Sequence, residues 1–294
     1  MKNIAFIINP ISGTQNKKKL PKLIADTLDP KQWLWNIVFT EYKGHAIELS
    51  RQYAKMGFDA VVAVGGDGTI NEVAQGLCDT ETAMGILPMG SGNGLARHLG
   101  IPIRAQKALE MLNHSEPIRI DYGMANNRLF VSTCGTGFDA QVAYDFANAG
   151  TRGLKTYVSR VVKDLVGYKP ETYRIELSNG EVVEHKAFLL TFANSSQWGY
   201  EAKIAPRASV QDGQMDICMM SPQAWLGAPS MAIRLFTGNL DTSLFMDTFQ
   251  TDDLVLHREN ETPFHIDGDP VRIGKDVHIR IIPDGLKVLV EKRF

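Results

Sequence analysis

Val64-Gly65-Gly66-Asp67-Gly68-Thr69 sets three glycines around one carboxylate, between an apolar run and a stretch with helical spacing. Glycine removes the Cβ atoms that keep backbone from approaching a ligand. The first turn of a helix adds N–H groups without intrahelical partners and the positive end of the dipole. Asp67 would repel a phosphate placed there unless a cation or a donor hydroxyl stood between, so the stretch suggests a nucleotide site. Taken alone, it also reads as a strand–helix turn capped by Asp67 or Thr69. Pro88-Met89-Gly90-Ser91-Gly92-Asn93-Gly94 repeats the logic after another apolar run. Its successive glycines can form a concave nest of backbone donors, and Ser91 and Asn93 add side-chain donors. Asn9-Pro10-Ile11-Ser12-Gly13 and Thr40 end two further apolar runs.

The elements that must position these loops follow from hydrophobic periodicity. Residues 4–8, 36–40, 60–64 and 84–87 read as strands. Leu20, Leu23, Ile24 and Leu28 mark one helix face, residues 45–55 form a second helix, and Ile70, Val73, Ala74 and Leu77 recur at helical spacing. Further helices are expected around 95–99 and over 105–112. Apolar strands alternating with amphipathic helices predict a doubly wound parallel α/β sheet covered on both faces. Ligands of such sheets bind beyond the carboxyl ends of the strands, so the four loops should converge on one site.

From about Ile118 the pattern turns β-rich. Ser178-Asn179-Gly180-Glu181 suits a tight primed hairpin turn. Pro283-Asp284-Gly285 reads as another hairpin turn, between residues 277–282 and 286–290. Several short strands with turns predict an antiparallel β-sandwich or open barrel. One helix interrupts this half, with the stripe Leu154, Tyr157, Val158, Val161, Val162 and Leu165; Arg152 and Lys155 ahead of it are phosphate contacts or a solvated helix end. The expected division is an α/β domain over residues 1–117 and a β-rich domain over 118–294, with the last strand returning to the first.

Bulk properties narrow the classes. A formal net charge of -2 on 294 residues argues against general nucleic-acid binding, which needs a basic surplus. Cys78, Cys134 and Cys218 are odd in number and widely spaced, which fits a reducing, cytoplasmic compartment better than a disulfide framework. No window approaches the roughly 18 apolar residues of a membrane span, so any membrane contact should be peripheral. Trp225, Leu226, Met231, Ile233, Leu235 and Phe236, with Arg234 among them, either pack into a core or form an interfacial helix face.

The loops, taken in order, resemble the diacylglycerol kinase catalytic family, which includes sphingosine and ceramide kinases. The resemblance runs through Asn9-Pro10-Ile11-Ser12-Gly13, Thr40 with Gly44-His45-Ala46, Gly65-Gly66-Asp67-Gly68-Thr69-Ile70-Asn71-Glu72 and Pro88-Met89-Gly90-Ser91-Gly92-Asn93. It continues through Ile120-Asp121-Tyr122-Gly123, Gly135-Thr136-Gly137-Phe138-Asp139, Ala193-Asn194, Ala205-Pro206 and Asp212-Gly213-Gln214-Met215-Asp216 to His265-Ile266-Asp267-Gly268-Asp269. Nearly the whole chain is covered. The resemblance implies a nucleotide-binding α/β domain, a β-rich lipid-binding domain, and catalysis in the cleft between them. ATP would be the co-substrate, contacting Asn9, Pro10, Ile11, Ser12, Gly13, Thr40, Gly66, Asp67, Gly68, Thr69, Ile70, Asn71, Glu72 and Ser91. Mg²⁺ would be held by Asp212 with the backbones of Ser209 and Gln214, an oxygen set suited to a hard cation.

The resemblance also implies an acidic residue that activates the acceptor hydroxyl. The family's Asp-Gly-Glu is Asp267-Gly268-Asp269 here. Asp and Glu differ by only about 0.4 in reference pKa, so the change is one of reach, by one methylene. Asp269 is the expected proton acceptor and Asp267 the close alternative, with Asp67 the third catalytic carboxylate. The partner is a lipid at a membrane surface, and a homodimer stays open. Gly90-Ser91-Gly92-Asn93 leans toward the sphingosine/ceramide style of this loop. Two rival readings are an NAD kinase-like enzyme, which shares Gly-Gly-Asp-Gly-Thr, and a nucleotide- or lipid-sensing protein without turnover.

Overall fold

The computed structural model describes residues 1–13, 17–147 and 167–292. Arg152, Lys155 and the stripe from Leu154 to Leu165 lie outside the described residues. The chain divides into two compact units, one of residues 1–121 with 283–294, the other of residues 122–282. Its first part runs β1 (Lys2–Ile8), α1 (Leu20–Thr27), β2 (Trp33–Phe39), α2 (His45–Lys55), β3 (Ala60–Gly65), α3 (Asp67–Leu77), β4 (Ala83–Pro88), α4 (Gly94–His98), α5 (Ala105–Leu112) and β5 (Ser115–Ala125). Then come β6 (Arg128–Phe130), β7 (Thr133–Gly137), α6 (Phe138–Ala147), β8 (Glu171–Leu177), β9 (Val182–Ala187), β10 (Leu189–Ala193) and β11 (Met215–Met220). The last elements are α7 (Ala228–Thr237), β12 (Met246–Thr251), β13 (Asp253–Arg258), β14 (Phe264–Ile266), β15 (Asp269–Val271) and β16 (Asp276–Glu291).

In the first unit the parallel strands lie in the order β2-β1-β3-β4. Every residue of β3 and β4 is buried, which is why those strands read as unbroken apolar runs. Helices α2 and α3 pack on each other, as do α1 and α5. Right-handed crossovers put α1 on the opposite face from α2 and α3, so the sheet is doubly wound as expected. Gly76 allows the close α2–α3 approach, because a Cβ there would lie 1.9 Å from Ser50 Oγ.

The second unit holds an antiparallel sheet in the order β12-β11-β10-β7-β14-β15. A second antiparallel run joins β9, β8, β13 and the start of β16. Their facing side chains share one core: Tyr173, Ile175, Leu254, Leu256, Val277 and Ile279 meet Leu190, Phe192, Ile217 and Phe264. This is the expected sandwich. Alternate residues of β10 face the other way, where Leu189 and Ala193 join Phe138, Val142 and Met231 in a further cluster beneath α6 and α7.

Two turns differ from expectation. Pro283-Asp284-Gly285 is no hairpin; β16 runs straight through it, passing from the second unit to the first at Ile282–Pro283. Before that point β16 pairs antiparallel with β13, and beyond it pairs parallel with β4 through Val288 and Met84. The turn chemistry survives only as a local kink: Asp284 has φ +53° and donates its N–H to Asp121 Oδ1 at 2.8 Å. Pairing on both sides overrides the local preference. The β8–β9 hairpin forms where predicted, but only Gly180 takes a positive φ, +84°. Its N–H closes on the Leu177 carbonyl at 2.9 Å, giving a type I turn with a left-handed glycine instead of a primed turn.

Candidate active site

In the first unit the switch point of the sheet falls between β1 and β3, whose helices return on opposite faces. Asn9 leaves β1 there and joins the loop to the neighbouring strand. Its N–H donates to the Val64 carbonyl at 3.0 Å, and Nδ2 donates to Thr69 Oγ1 at 3.1 Å. Asn9 Oδ1 accepts the Ile11 N–H at 3.1 Å, and Ser12 Oγ donates to the Asn9 carbonyl at 3.2 Å. Lys17 donates to the Ser12 carbonyl. Gly13 has φ +58°, and a Cβ there would lie 2.0 Å from the Met89 carbonyl oxygen. Gly90 and Gly66 also touch backbone to backbone, since a Cβ on Gly90 would lie 2.3 Å from Gly66 Cα. Gly13, Gly66 and Gly90 thus serve the approach of one loop to another.

The two carboxylates of the Gly65–Glu72 motif cap neighbouring helices. Asp67 accepts the Asn93 N–H on Oδ2 at 2.9 Å and the Gly94 N–H on Oδ1 at 2.7 Å, at the start of α4. Glu72 accepts the Gly44 N–H at 2.9 Å and the Ala46 N–H at 3.3 Å, at the start of α2. Each carboxylate meets the positive end of a helix dipole, so α3 holds both the Thr40–His45 loop and the Met89–Gly94 loop in place. These capping roles, and Gly44, Ala46 and Gly94 as their partners, were not anticipated. Thr40 is buried beyond β2, its N–H on the Ile8 carbonyl at 2.9 Å. Asn71 is buried and accepts from Gln75 Nε2 at 2.6 Å, and Ile70 is in the core. Pro10, Ile11 and Ser91 are exposed, while Gly66 and Gly68 are half-buried. The first turn of α3 closes on the Gly66 carbonyl, which accepts the Thr69 and Ile70 N–H groups at 2.9 and 3.0 Å.

In the second unit the two aspartates of Asp267-Gly268-Asp269 are unlike. Asp267 is half-buried with φ +47° and accepts three backbone N–H groups: Val131 at 3.0 Å, Ser132 at 2.8 Å and Thr133 at 3.0 Å. Gly268 follows at φ +83°, and together they make the two-residue turn between β14 and β15. Asp269 sits just past the turn and is exposed. Behind the turn, His265 Nε2 lies 3.0 Å from Asp139 Oδ2, and both side chains are buried.

Asp212 and Gly213 form the turn ahead of β11. Gly213 has φ +70°, and Asp212 Oδ1 accepts the Gln214 N–H at 3.1 Å. Ser209 Oγ accepts the Gln211 N–H at 3.2 Å, closing the same loop. Among the described residues no group of three or more His, Cys, Asp or Glu could hold a metal. A cation at this loop would rest on one carboxylate and backbone carbonyls, a donor set that fits a hard ion such as Mg²⁺. Burial raises the Asp216 pKa and the charges of Asp212 and Asp241 add to the shift, while a Gln250 hydrogen bond and the charge of Arg207 oppose it.

The cluster from Trp225 to Phe236 splits by side. Met231 is buried and Leu235 packs against the cluster beneath α7. Trp225, Leu226, Ile233 and Phe236 are 61%, 63%, 65% and 56% exposed, and the nearby Leu244 is fully exposed.

Comparison with known proteins agrees with this architecture. Residues 3–125 match the diacylglycerol kinase catalytic domain, and residues 132–290 match the YegS C-terminal NAD kinase beta sandwich-like domain. A diacylglycerol kinase of Bacillus subtilis is 31% identical over 229 residues, covering 75% of this chain and 74% of that protein. A Chromohalobacter salexigens protein named "Probable lipid kinase YegS-like" is 29% identical over 237 residues, covering 77% of this chain and 75% of its own. The crystal structure of a diacylglycerol kinase from Bacillus anthracis superposes with a TM-score of 0.75 over 98% of this chain and 97% of that one, at 18% identity, a likeness of fold.

Proposed function

Because the chain belongs to the diacylglycerol kinase family and is a lipid kinase, we propose that it transfers the γ-phosphate of ATP to a hydroxyl of diacylglycerol, a sphingoid base or a related lipid. The observation that carries this reading is the hub built by α3. Thr69 reaches the loop after β1, Glu72 the loop after β2 and Asp67 the loop after β4, so strand ends at the switch point are tied together around backbone donors. Phosphoryl transfer asks mainly for positioning and for neutralisation of charge, and strand-end loops held in place by α3 would supply the positioning. The nucleotide would sit along residues 9–13, Thr40, Gly66–Glu72 and Ser91. In this reading Asp67 acts by holding the Met89–Gly94 loop.

The acceptor hydroxyl would be deprotonated at the Asp267–Asp269 turn. Exposure favours Asp269 as the base, and the three amide donors on Asp267 favour a supporting role for it. Transfer requires the hydroxyl at this turn and the γ-phosphate held by α3 to meet. Asp212, with the Ser209 and Gln214 carbonyls, would hold Mg²⁺. When bound there, the ion would neutralise the charge of Asp212 and rigidify the loop.

Purified protein incubated with labelled ATP and a panel of diacylglycerol, sphingosine, ceramide and NAD is expected to phosphorylate one of the lipids. The name of the Bacillus subtilis relative favours diacylglycerol. Labelling of no lipid would overturn the reading, and labelling of NAD alone would move it to the NAD kinase alternative.

A lipid with two acyl chains is presented in a bilayer, and the exposed face of α7 suits that surface. Ala228–Thr237 carries Arg234 and no acidic residue, beside the apolar side chains that point to water. Full burial of one such side chain is worth about 1.5–3 kcal/mol, so partial insertion of five would support reversible binding. The variant Trp225→Ser/Phe236→Ser is expected to sediment less with vesicles containing anionic phospholipid. Its activity on vesicle-borne substrate, relative to a short-chain monomeric substrate, should fall roughly tenfold. Equal sedimentation of variant and wild type would remove the face from the account.

A further inference from the structure

His265 and Asp139, the buried pair behind the turn, are 126 positions apart in sequence and have been given no role in the proposed reaction. Asp139 is the second residue of α6, and its carboxylate makes three contacts: Oδ1 accepts the Ala140 N–H at 2.9 Å, while Oδ2 meets Thr191 Oγ1 at 3.0 Å and His265 Nε2 at 3.0 Å. On the other side of the ring, His265 Nδ1 lies 3.4 Å from the Gly268 backbone nitrogen. The chain makes room for the ring at Gly135, where a Cβ would sit 3.1 Å from Nε2.

The direction of these bonds fixes the tautomer. A backbone N–H can only donate, so Nδ1 must present its lone pair to Gly268, and Nε2 must carry the proton that Asp139 accepts. The carboxylate selects the imidazole form that can hold the turn. Asp267 and Gly268, at φ +47° and +83°, form a two-residue turn that Asp-Gly readily adopts, and the bond from the Gly268 N–H to His265 adds a fixed point immediately before Asp269. We propose that His265, its tautomer set by Asp139, is a positioning residue that orients the Asp267–Asp269 turn for catalysis. This rests on the reading that Asp269 is the base.

Two substitutions separate positioning from simple packing. His265→Asn keeps an acceptor near the Nδ1 position but cannot reach Asp139; His265→Gln reaches toward Asp139 but leaves Gly268 without its acceptor. Misplacing a reacting group by about 1 Å can cost on the order of 10²-fold. The Gln variant is therefore expected to lose roughly 100-fold in kcat, with KM for ATP unchanged, and the Asn variant to stay within about tenfold of wild type. Equal kcat in the two variants would overturn the proposal. Nitrogen-15 NMR of the unmodified protein tests it without relying on turnover or on the folding of a variant. It should show His265 protonated at Nε2 and bare at Nδ1, and the Asp139→Asn variant should shift toward the opposite tautomer. A wild-type ring protonated at Nδ1 would also overturn it. Should Asp269→Asn keep full turnover while the tautomer is as stated, the assignment of the base falls and the Asp139–His265–Gly268 chain stands.

Discussion

Replacing Asp269 with Asn is expected to lower kcat by about 10²–10⁴-fold, the usual contribution of a general base. KM for ATP and thermal stability should stay near wild type. The side chain is exposed and lies just past the turn, so its loss removes chemistry and little packing. Asp267→Asn should behave in the opposite way. Its carboxylate accepts the N–H groups of Val131, Ser132 and Thr133. An amide oxygen can serve at most part of that set, and its NH₂ would face a donor. Charge-assisted bonds are worth about 1.5–3 kcal/mol each, so this variant should unfold several degrees earlier. Steady-state kinetics and thermal melts on both variants decide the matter. An active Asp269→Asn beside a folded, inactive Asp267→Asn would transfer the base to Asp267. Asp269→Glu, which restores the longer side chain, is expected to remain active.

Which parts of this could be read from sequence follows from the range of each interaction. The α/β half was legible because burial on both faces leaves a local mark: residues 60–64 and 84–87 are apolar without interruption, and Ile70, Val73, Ala74 and Leu77 keep helical spacing. The sandwich was legible from short strands and turn residues. Misreadings came where distant partners overrode local chemistry. Pro283-Asp284-Gly285 has the composition of a reversal, yet pairing with β13 on one side and β4 on the other keeps β16 extended. The loops of the site were found by their glycines, but the roles of Asp67 and Glu72 were not. Their partners lie 26 to 28 positions away and are backbone amides, which leave no trace in residue type. The same holds for His265 and Asp139. Each stood in a recognisable motif, and nothing local linked them. The apolar stripe of α7 could not be assigned to core or surface, because both produce the same spacing; Met231 faces inward and Ile233 outward on one helix.

Asp67→Asn is expected to raise the ATP dissociation constant at least tenfold, although the side chain need not touch the nucleotide. Asp67 bonds two consecutive amides, Asn93 and Gly94, at 2.9 and 2.7 Å. An Asn side chain keeps one acceptor and turns an NH₂ toward the other amide, so one bond is lost and a donor meets a donor. The lost charge at the start of α4 adds a further penalty. Together these come to about 2–4 kcal/mol, enough to release the Met89–Gly94 loop from its seat against Gly66. That seat has no slack, because Gly90 and Gly66 already meet backbone to backbone. In the proposed reading, a loop that shifts there carries Ser91 away from the nucleotide, which would appear as weaker nucleotide binding and a lower melting temperature together. Titration calorimetry with ATP and a thermal melt read both. If affinity and stability were unchanged and only kcat fell, the carboxylate would be acting on the transferring phosphoryl group itself. The helix-capping account of Asp67 would then give way to a direct catalytic one.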